Sequence, residues 1–184
     1  GLVVRRKSTG EFRPEVIELL KTFATQSVLA IQNARLFREI EDKSRQIEQA
    51  SRIANAVSIP LIADADTLGE TVADAYHFTR RYIQQGIAGF HVEDERNPKH
   101  SKHANGLWSI PDQQARIDAA RRAQKDSGQD FVIIARCDEL YPSEAGGGGT
   151  GSMEEAVKRG HAYLEAGADA LFFPSNPVPA EHPP

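Results

Sequence analysis

The sequence predicts an α/β fold built on parallel strands, and three observations support this class. Four short apolar runs end in charged residues, helical patterns lie between these runs, and polar side chains within each run share one face. Strands that alternate with helices pair in parallel through right-handed crossovers, so their carboxyl ends meet along one edge of a sheet. A long amphipathic helical pattern precedes the first run.

Composition fits an ordinary globular chain and excludes several function classes. The 184 residues are 40% hydrophobic and 26% charged, and the net charge of −4 gives no electrostatic footprint for nucleic acid. No apolar run approaches the roughly 20 residues of a membrane span, and the N-terminus lacks a signal-peptide core. The single cysteine, Cys137, fits a reducing compartment. We therefore expect a cytoplasmic protein with neither membrane nor nucleic-acid partners.

The first apolar run, Ile59–Asp66, ends in two carboxylates spaced i and i+2. In a strand this spacing places Asp64 and Asp66 on the same face. Paired carboxylate oxygens suit a hard divalent cation such as Mg²⁺, which often takes only one or two protein carboxylates. The alternative is that both acids begin a loop and cap the next helix.

The same design recurs in three further runs. His91 and Glu93 share a face in the second, and Arg136 and Asp138 share one in the third. We expect these side chains to converge with Asp64 on one rim of the sheet. The three runs span Gly86–Asp94, Asp130–Asp138 and Gly167–Pro174.

The N-terminal helical pattern follows a short apolar segment and begins at Pro14, with apolar residues at three- and four-residue spacings through Ile31. The stretches Leu-Val-Val-Arg-Arg-Lys, Gly-Glu-Phe-Arg-Pro-Glu-Val-Ile-Glu-Leu-Leu and Ala-Ile-Gln-Asn-Ala-Arg-Leu-Phe resemble the last strand and exit helix of a GAF sensor domain. The resemblance implies a signalling helix that pairs with a copy of itself. The alternative is a generic amphipathic helix that serves as a dimer arm or lid.

A change from charged to small residues near Ser51 predicts three segments. Residues 1–51 form the GAF-like strand and helix, residues 52–174 form the α/β part, and the proline-rich residues 175–184 form a disordered tail.

Residues 52–174 resemble the central part of the isocitrate lyase and phosphoenolpyruvate mutase superfamily. The matching blocks, in order, include Ile-Pro-Leu-Ile-Ala-Asp-Ala-Asp-Thr, Gly-Phe-His-Val-Glu-Asp, Pro-Lys-His-Ser-Lys-His and Val-Ile-Ile-Ala-Arg-Cys-Asp. The resemblance implies about four βα units of a partial (β/α)8 TIM-type barrel. It also implies Mg²⁺, with Mn²⁺ as the alternative, and lyase-type cleavage of a carbon-carbon or carbon-phosphorus bond in a small 2-oxo or 2-hydroxy carboxylic acid.

The same resemblance implies roles for the rim residues. Asp66 would ligate the ion directly, while Asp64 and Glu93 would hold its waters. Arg136 would bind the substrate carboxylate, with Asp64 beside it, because a planar guanidinium matches a carboxylate in two places. The alternative for Arg136 is structural pairing with Asp138 or Glu93.

The stretch from Lys99 to His103 corresponds to a mobile active-site loop of the superfamily, which implies catalytic roles for Lys99, Ser101 and His103. Ser101 stands where the lyases carry a cysteine, and a hydroxyl is a poorer proton donor than a thiol of pKa about 8.5. This replacement argues against a standard isocitrate or methylisocitrate lyase. The alternatives are solvated loop residues, or a transition-metal pair formed by His100 and His103.

Two further features bear on function. The glycine run Gly146–Gly149 predicts a flexible, exposed loop rather than a phosphate cradle, because no Lys-Ser/Thr pair follows it. Four strands are half of a (β/α)8 barrel and leave two open edges, which predicts a homo-oligomer, edges covered by the N-terminal helix, or a fragment. The rivals to lyase chemistry are a catalytically inactive dimerisation module and an artificial joining of two unrelated pieces.

Overall fold

The computed structural model of the chain describes residues 3, 5, 10–97, 99, 106–142 and 147–174, without the side chains of residues 35, 36 and 39. The chain divides into two units, residues 1–46 and 47–184. The predicted N-terminal strand falls largely outside the described residues, and the predicted tail, residues 175–184, lies wholly outside them.

The first helix, α1, spans Pro14–Ala56, so both the observed division and the predicted boundary near Ser51 fall within it. It begins at a proline, whose missing N–H suits the first helical turn, and the N–H groups of Val16 and Ile17 donate to the Arg13 carbonyl at 3.0 and 3.1 Å. No helix in the described parts of the chain is long and apolar enough to cross a membrane. In the first unit α1 exposes large apolar side chains, among them Ile17, Leu19, Phe23, Val28, Leu29, Ile31, Phe37 and Ile40.

The second unit is built on a parallel sheet of four strands, which confirms the predicted α/β class. The strands are β1 (Ile62–Asp64), β2 (Gly89–Glu93), β3 (Val132–Arg136) and β4 (Ala170–Phe172), and they lie side by side in chain order. Helices connect them: α2 (Val72–Gln84), α3 (Ile110–Ser127), a single 3₁₀ turn (Asp138–Leu140) and α4 (Met153–Glu165).

Hydrophobic burial lies on the helix-facing side of the sheet. Phe90 and Ile133 are fully buried, and the Phe90 ring lies edge-on to Tyr82 and Phe131, with centroids 5.6 and 5.0 Å apart. Ile47, near the end of α1, belongs to the same core. Because side chains alternate along a strand, the opposite face carries His91, Glu93 and Arg136 beside apolar residues such as Ile134 and Phe172.

Local sequence explains where the helices begin and end. Thr71 and Asp74 form a reciprocal capping box at the start of α2, Ser109 caps α3, and Ser152 caps α4. Gly128 caps the carboxyl end of α3, and its φ of 64° is a left-handed conformation that glycine adopts without a Cβ clash.

Two predictions need correction. Each strand is shorter than its apolar run; β1, for example, ends at Asp64 rather than Asp66, because the chain turns there. The glycine run is not an exposed loop where it is described: Gly147 and Gly149 are buried, and their N–H groups donate to the carbonyls of Pro142 and Tyr141, both at 3.1 Å. A Cβ at Gly149 would overlap the backbone carbonyls that follow β3.

Candidate active site

Polar side chains gather where the strands end, as the parallel arrangement predicts. Asp64 closes β1, Glu93 closes β2 and Arg136 closes β3. The register sets Asp64 opposite His91 and Glu93 opposite Arg136. These side chains therefore share the sheet face that the helices leave uncovered.

Asp66 reaches this edge through a turn rather than through strand alternation. Its φ is 47°, and its N–H donates to the Asp64 carboxylate at 2.8 Å. The Asp66 carbonyl accepts from the Glu93 N–H at 3.0 Å. Asp64 thus folds the backbone that presents Asp66, a role the sequence pattern did not indicate.

A lysine ammonium joins the carboxylates of Asp66 and Glu93. Lys99 Nζ lies 2.6 Å from Asp66 Oδ1 and also donates to Glu93 Oε1. The Glu93 side chain is 1% exposed, and those of Lys99 and Asp66 are 20% and 27% exposed. A single positive charge is therefore held by oxygens from the ends of two neighbouring strands.

The electrostatics of this pair follow from burial and charge. Burial raises the pKa of Glu93, and the hydrogen bond and charge of Lys99, followed by Arg136, offset only part of that rise. Burial alone would lower the pKa of Lys99, but its bonds to Asp66 and Glu93 outweigh that effect and raise it. Lys99 consequently carries its proton throughout the neutral range.

Arg136 faces the same carboxylates from the next strand. Its Nε donates to Asp138 Oδ1 at 2.9 Å, and its Nη1 lies 3.3 Å from Glu93 Oε2. Its guanidinium carbon lies 5.8 Å from the centroid of the Phe172 ring. The structural pairing that was the alternative for Arg136 is therefore present, on the rim where a substrate carboxylate is expected.

His91 lines the face below these groups. Its Nδ1 lies 3.7 Å from Asp64 Oδ1, and its ring lies edge-on to Phe172 with centroids 5.7 Å apart. The sequence placed His91 on the face of Glu93, yet it gave no indication of the contact with Phe172.

The carboxylate oxygens at this edge are of the donor type that a hard divalent cation prefers, although the described ones are not gathered into one group. Among the described residues, no three His, Cys, Asp and Glu side chains form a ready metal-binding group, and Asp66 and Glu93 meet through Lys99 instead. That ammonium shows that the position accommodates positive charge between oxygen donors, the donor type that Mg²⁺ prefers. Asp64, Asp66 and Glu93 remain the predicted ligand set.

Three of the predicted loop residues cannot be placed. The residues outside the described parts of the chain are Ser101, His103 and His100, the last of which was the possible partner of His103 in a transition-metal pair. Lys99 is the one predicted loop residue whose contacts are described, and it lies with the carboxylates of the sheet edge.

Sequence reasoning missed a second charged cluster behind the edge. Asp94 is buried and accepts from the Tyr163 hydroxyl at 2.6 Å and from the Asp138 N–H at 2.8 Å. Arg159 Nη1 lies 3.4 Å from the same carboxylate. Burial raises the pKa of Asp94, and the Asp138 N–H, Tyr163 and Arg159 partly counter that rise. Strand alternation could have indicated that Asp94 points away from Glu93, but not which helix supplies its partners.

Comparisons with known proteins match the α/β part of the chain. A family model described as phosphoenolpyruvate phosphomutase matches residues 27–181. Phosphonopyruvate hydrolase of Variovorax sp. is 40% identical over 136 residues, which cover 72% of this chain and 44% of that protein. Isocitrate lyase of Haloferax volcanii is 30% identical over 142 residues, which cover 77% of this chain and 39% of that protein.

A solved structure gives the same picture. Phosphonopyruvate hydrolase in complex with oxalate and Mg²⁺ superimposes with a TM-score of 0.62 at 38% identity, covering 73% of this chain and 44% of that chain. The sequence spans about two fifths of the length of the curated relatives that it matches.

Proposed function

Because this chain belongs to the phosphoenolpyruvate phosphomutase family, we propose that it carries part of an Mg²⁺-dependent site for lyase-type chemistry on a small 2-oxo or 2-hydroxy carboxylic acid. The observation that carries this proposal is the Lys99 ammonium held between Asp66 and Glu93 beside Arg136. The carboxylates around this position could bind a metal ion, and the guanidinium beside them could bind the carboxylate of a substrate.

Three carboxylates would hold the ion. Asp66 would ligate it directly, and Asp64 and Glu93 would hold its waters; Mn²⁺ has the same preference for oxygen ligands. When bound, a divalent ion supplies Lewis-acid stabilisation of the negative charge that develops on the substrate oxygens.

Arg136 would bind the substrate carboxylate. Its contacts with Asp138 and Glu93 orient the guanidinium, and the net effect of burial and these acids raises its pKa, so the group stays charged. The planar fork can offer two parallel N–H bonds to a carboxylate. Asp64, at the end of β1, would contact the same substrate.

Lys99 would act as a proton donor rather than a base. The raised pKa keeps its Nζ protonated at neutral pH, so the group cannot readily accept a proton. The same shift makes the ammonium a weaker acid, and donation to a substrate carbon or oxygen would require its release from Asp66 and Glu93. Ser101 and His103 are the further catalytic candidates of the same loop, on the strength of the superfamily resemblance alone.

Titration of Mg²⁺ with oxalate into the wild type and Asp66→Ala tests the proposal. Oxalate carries two adjacent carboxylates and mimics a 2-oxo acid in charge and shape. We expect calorimetry to detect binding by the wild type and by the control Asp118→Ala, an exposed acid on α3, but not by Asp66→Ala. Equal binding by the wild type and Asp66→Ala would remove the assignment.

The second candidate function is non-enzymatic, and the exposed apolar residues of α1 favour it. In this reading a GAF-derived helix pairs with a second copy of itself, and the sheet unit turns over no 2-hydroxy acid. Replacing Val28 and Ile31 with glutamate should abolish a concentration-dependent dimer in sedimentation velocity, while glutamate at the polar position Thr25 should not. A dimer unaffected by the double replacement contradicts this reading.

A further inference from the structure

We infer that Arg116, on α3, is a positioning residue that fixes the loop after β1 so that Asp66 faces the cation position. The inference rests on the proposed role of Asp66 as a metal ligand. The Arg116 side chain is 2% exposed, and its Nη2 donates to the backbone carbonyls of both Thr67 and Gly69. One guanidinium nitrogen therefore grips the loop on both sides of Leu68.

The loop needs an external hold because its backbone is unusual. Asp66 and Leu68 have φ values of 47° and 57°, in the left-handed region that residues with a Cβ rarely adopt, and Gly69 has a φ of 90°. Such conformations persist where the surrounding structure determines them. Glycine adopts such a conformation freely and aspartate tolerates it, but leucine does not, so the sequence of the loop accounts for only part of its shape.

Other contacts hold side chains and the first part of the backbone: Leu68 is buried in the core, and Asn97 Nδ2 lies 3.5 Å from Thr67 Oγ1. The Asp64 carboxylate accepts from the Asp66 N–H at 2.8 Å, and the Leu68 N–H donates to the Ala65 carbonyl at 2.9 Å. The carbonyls of Thr67 and Gly69 point to Arg116 instead. Removing the guanidinium should therefore take away the donor to these two carbonyls, loosen the backbone around Leu68 and let the Asp66 backbone rotate.

Arg116 is itself held by an aromatic ring that belongs to the neighbouring connection. Its guanidinium carbon lies 4.9 Å from the centroid of the Trp108 ring, and that of Arg96 lies 4.8 Å from the same centroid. The backbone N–H of Trp108 donates to the Asp94 carbonyl at 2.8 Å, next to Glu93. The guanidinium thereby ties the Asp66 loop to the chain that follows β2, which carries the other acid of the cation position.

A matched control lies on the same helix. Arg121 also clamps a loop carbonyl, because its Nε and Nη2 donate to Gly167 O at 2.9 and 2.7 Å. That loop precedes β4, so it lies at the opposite end of the parallel strands from Asp66. A purely structural role for Arg116 predicts that loss of either arginine has the same effect on Mg²⁺ binding.

The test measures Mg²⁺ affinity by calorimetry in the wild type, Arg116→Met, Arg116→Lys and Arg121→Met. We expect Arg116→Met to weaken binding by about 10-fold or more, as is typical when a partner that orients a ligand is lost. Arg116→Lys should recover only part of the loss, because an ammonium lacks the planar face that packs on Trp108. Arg121→Met should bind as the wild type does, although both methionine variants should melt earlier.

Hydrogen exchange supplies a second readout that does not depend on metal. Arg116→Lys should speed exchange in residues 64–70, and Arg121→Lys should speed it in residues 167–169. Unchanged affinity in Arg116→Met, or equal weakening in Arg121→Met, overturns the inference. A wild type that binds no Mg²⁺ overturns the proposed function, and the positioning role with it. If Arg116→Met does not fold, Arg116→Lys carries the same comparison.

Discussion

Glu93 and Asp94 are neighbours in the chain and both are fully buried, yet they have different partners. Glu93 faces the open side of the sheet, where its partners are the long cationic side chains of Lys99 and Arg136. Asp94 faces the helices, where a phenol, a backbone N–H and Arg159 surround it. Strand alternation alone sends the two acids to opposite faces.

The comparison shows that burial of an acid does not by itself mark a functional site. Burial raises the pKa of both groups. The difference lies in the partners: the Lys99 side chain is 20% exposed, whereas Tyr163 is buried within α4 and the Asp138 N–H is part of the backbone. We expect a partly exposed counter-charge to give way to an ion, and fixed donors to stabilise the fold.

Asp94→Ala should give the largest effect, and the effect should be on stability. The change leaves the Tyr163 hydroxyl, the Asp138 N–H and Arg159 without their common acceptor, so we expect the free energy of unfolding to fall by about 3 kcal/mol. Urea denaturation followed by circular dichroism measures this. At a temperature where the variant is folded, its Mg²⁺ affinity should equal that of the wild type. A loss of affinity would show that Asp94 contributes to Mg²⁺ binding as well as to stability.

Glu93→Ala should give the opposite result. Mg²⁺ affinity should fall by about 100-fold, which is the upper end of the effect of losing a group that orients the ligands. The free energy of unfolding should fall by only about 1 kcal/mol, because Lys99 and Arg136 can extend toward solvent. Calorimetry and urea denaturation give the two values. A variant with wild-type affinity and a large loss of stability would place Glu93 in the same class as Asp94.

The difference in stability between the wild type and Glu93→Ala should depend on pH. Because the folded pKa of Glu93 is raised above 4.5, its protonated form contributes stability that is complete below pH 4.5 and is lost as pH rises through the folded pKa. The stability advantage of the wild type over Glu93→Ala should therefore shrink as pH rises through that window. An advantage that grows with pH in this range would show that the carboxylate is stabilised in its charged form.

Much of the fold and part of the site follow from sequence pattern. The parallel α/β class, the partial barrel and membership of the superfamily are confirmed, because alternating strands and helices leave few topologies and the acidic strand ends form a recognisable series. Lys99 contacts both Asp66 and Glu93, and the metal-binding and catalytic roles of these residues stay predictions. The GAF-like origin of the N-terminal helix stays a prediction.

What pattern could not supply depends on tertiary packing. Arg116 and Arg159 sit in helical stretches where a charged residue ordinarily faces solvent, and only the packed structure brings them to loop carbonyls and to Asp94. The sequence predicted exposure for Gly147 and Gly149 because a glycine run without tertiary contacts is flexible. In the structure, the lack of a Cβ lets this segment pack against the residues that follow β3. The turn at Asp66 depends both on the Asp64 carboxylate two residues earlier and on partners outside the loop.

Lys99→Met should give the smallest effect and the one of opposite sign. The ammonium must leave Asp66 and Glu93 before a divalent ion can enter, so its removal should strengthen Mg²⁺ binding by about 10-fold, the equivalent of one charge-assisted hydrogen bond. Turnover of a 2-hydroxy acid should fall in the same variant, because the proposed proton donor is gone. The control Lys158→Met removes the same charge from an exposed position on α4 and should leave calorimetric affinity unchanged. If Lys99→Met instead binds Mg²⁺ more weakly, then Lys99 assembles the two carboxylates rather than competing with the ion, and Glu93 owes its position to a fixed partner much as Asp94 does.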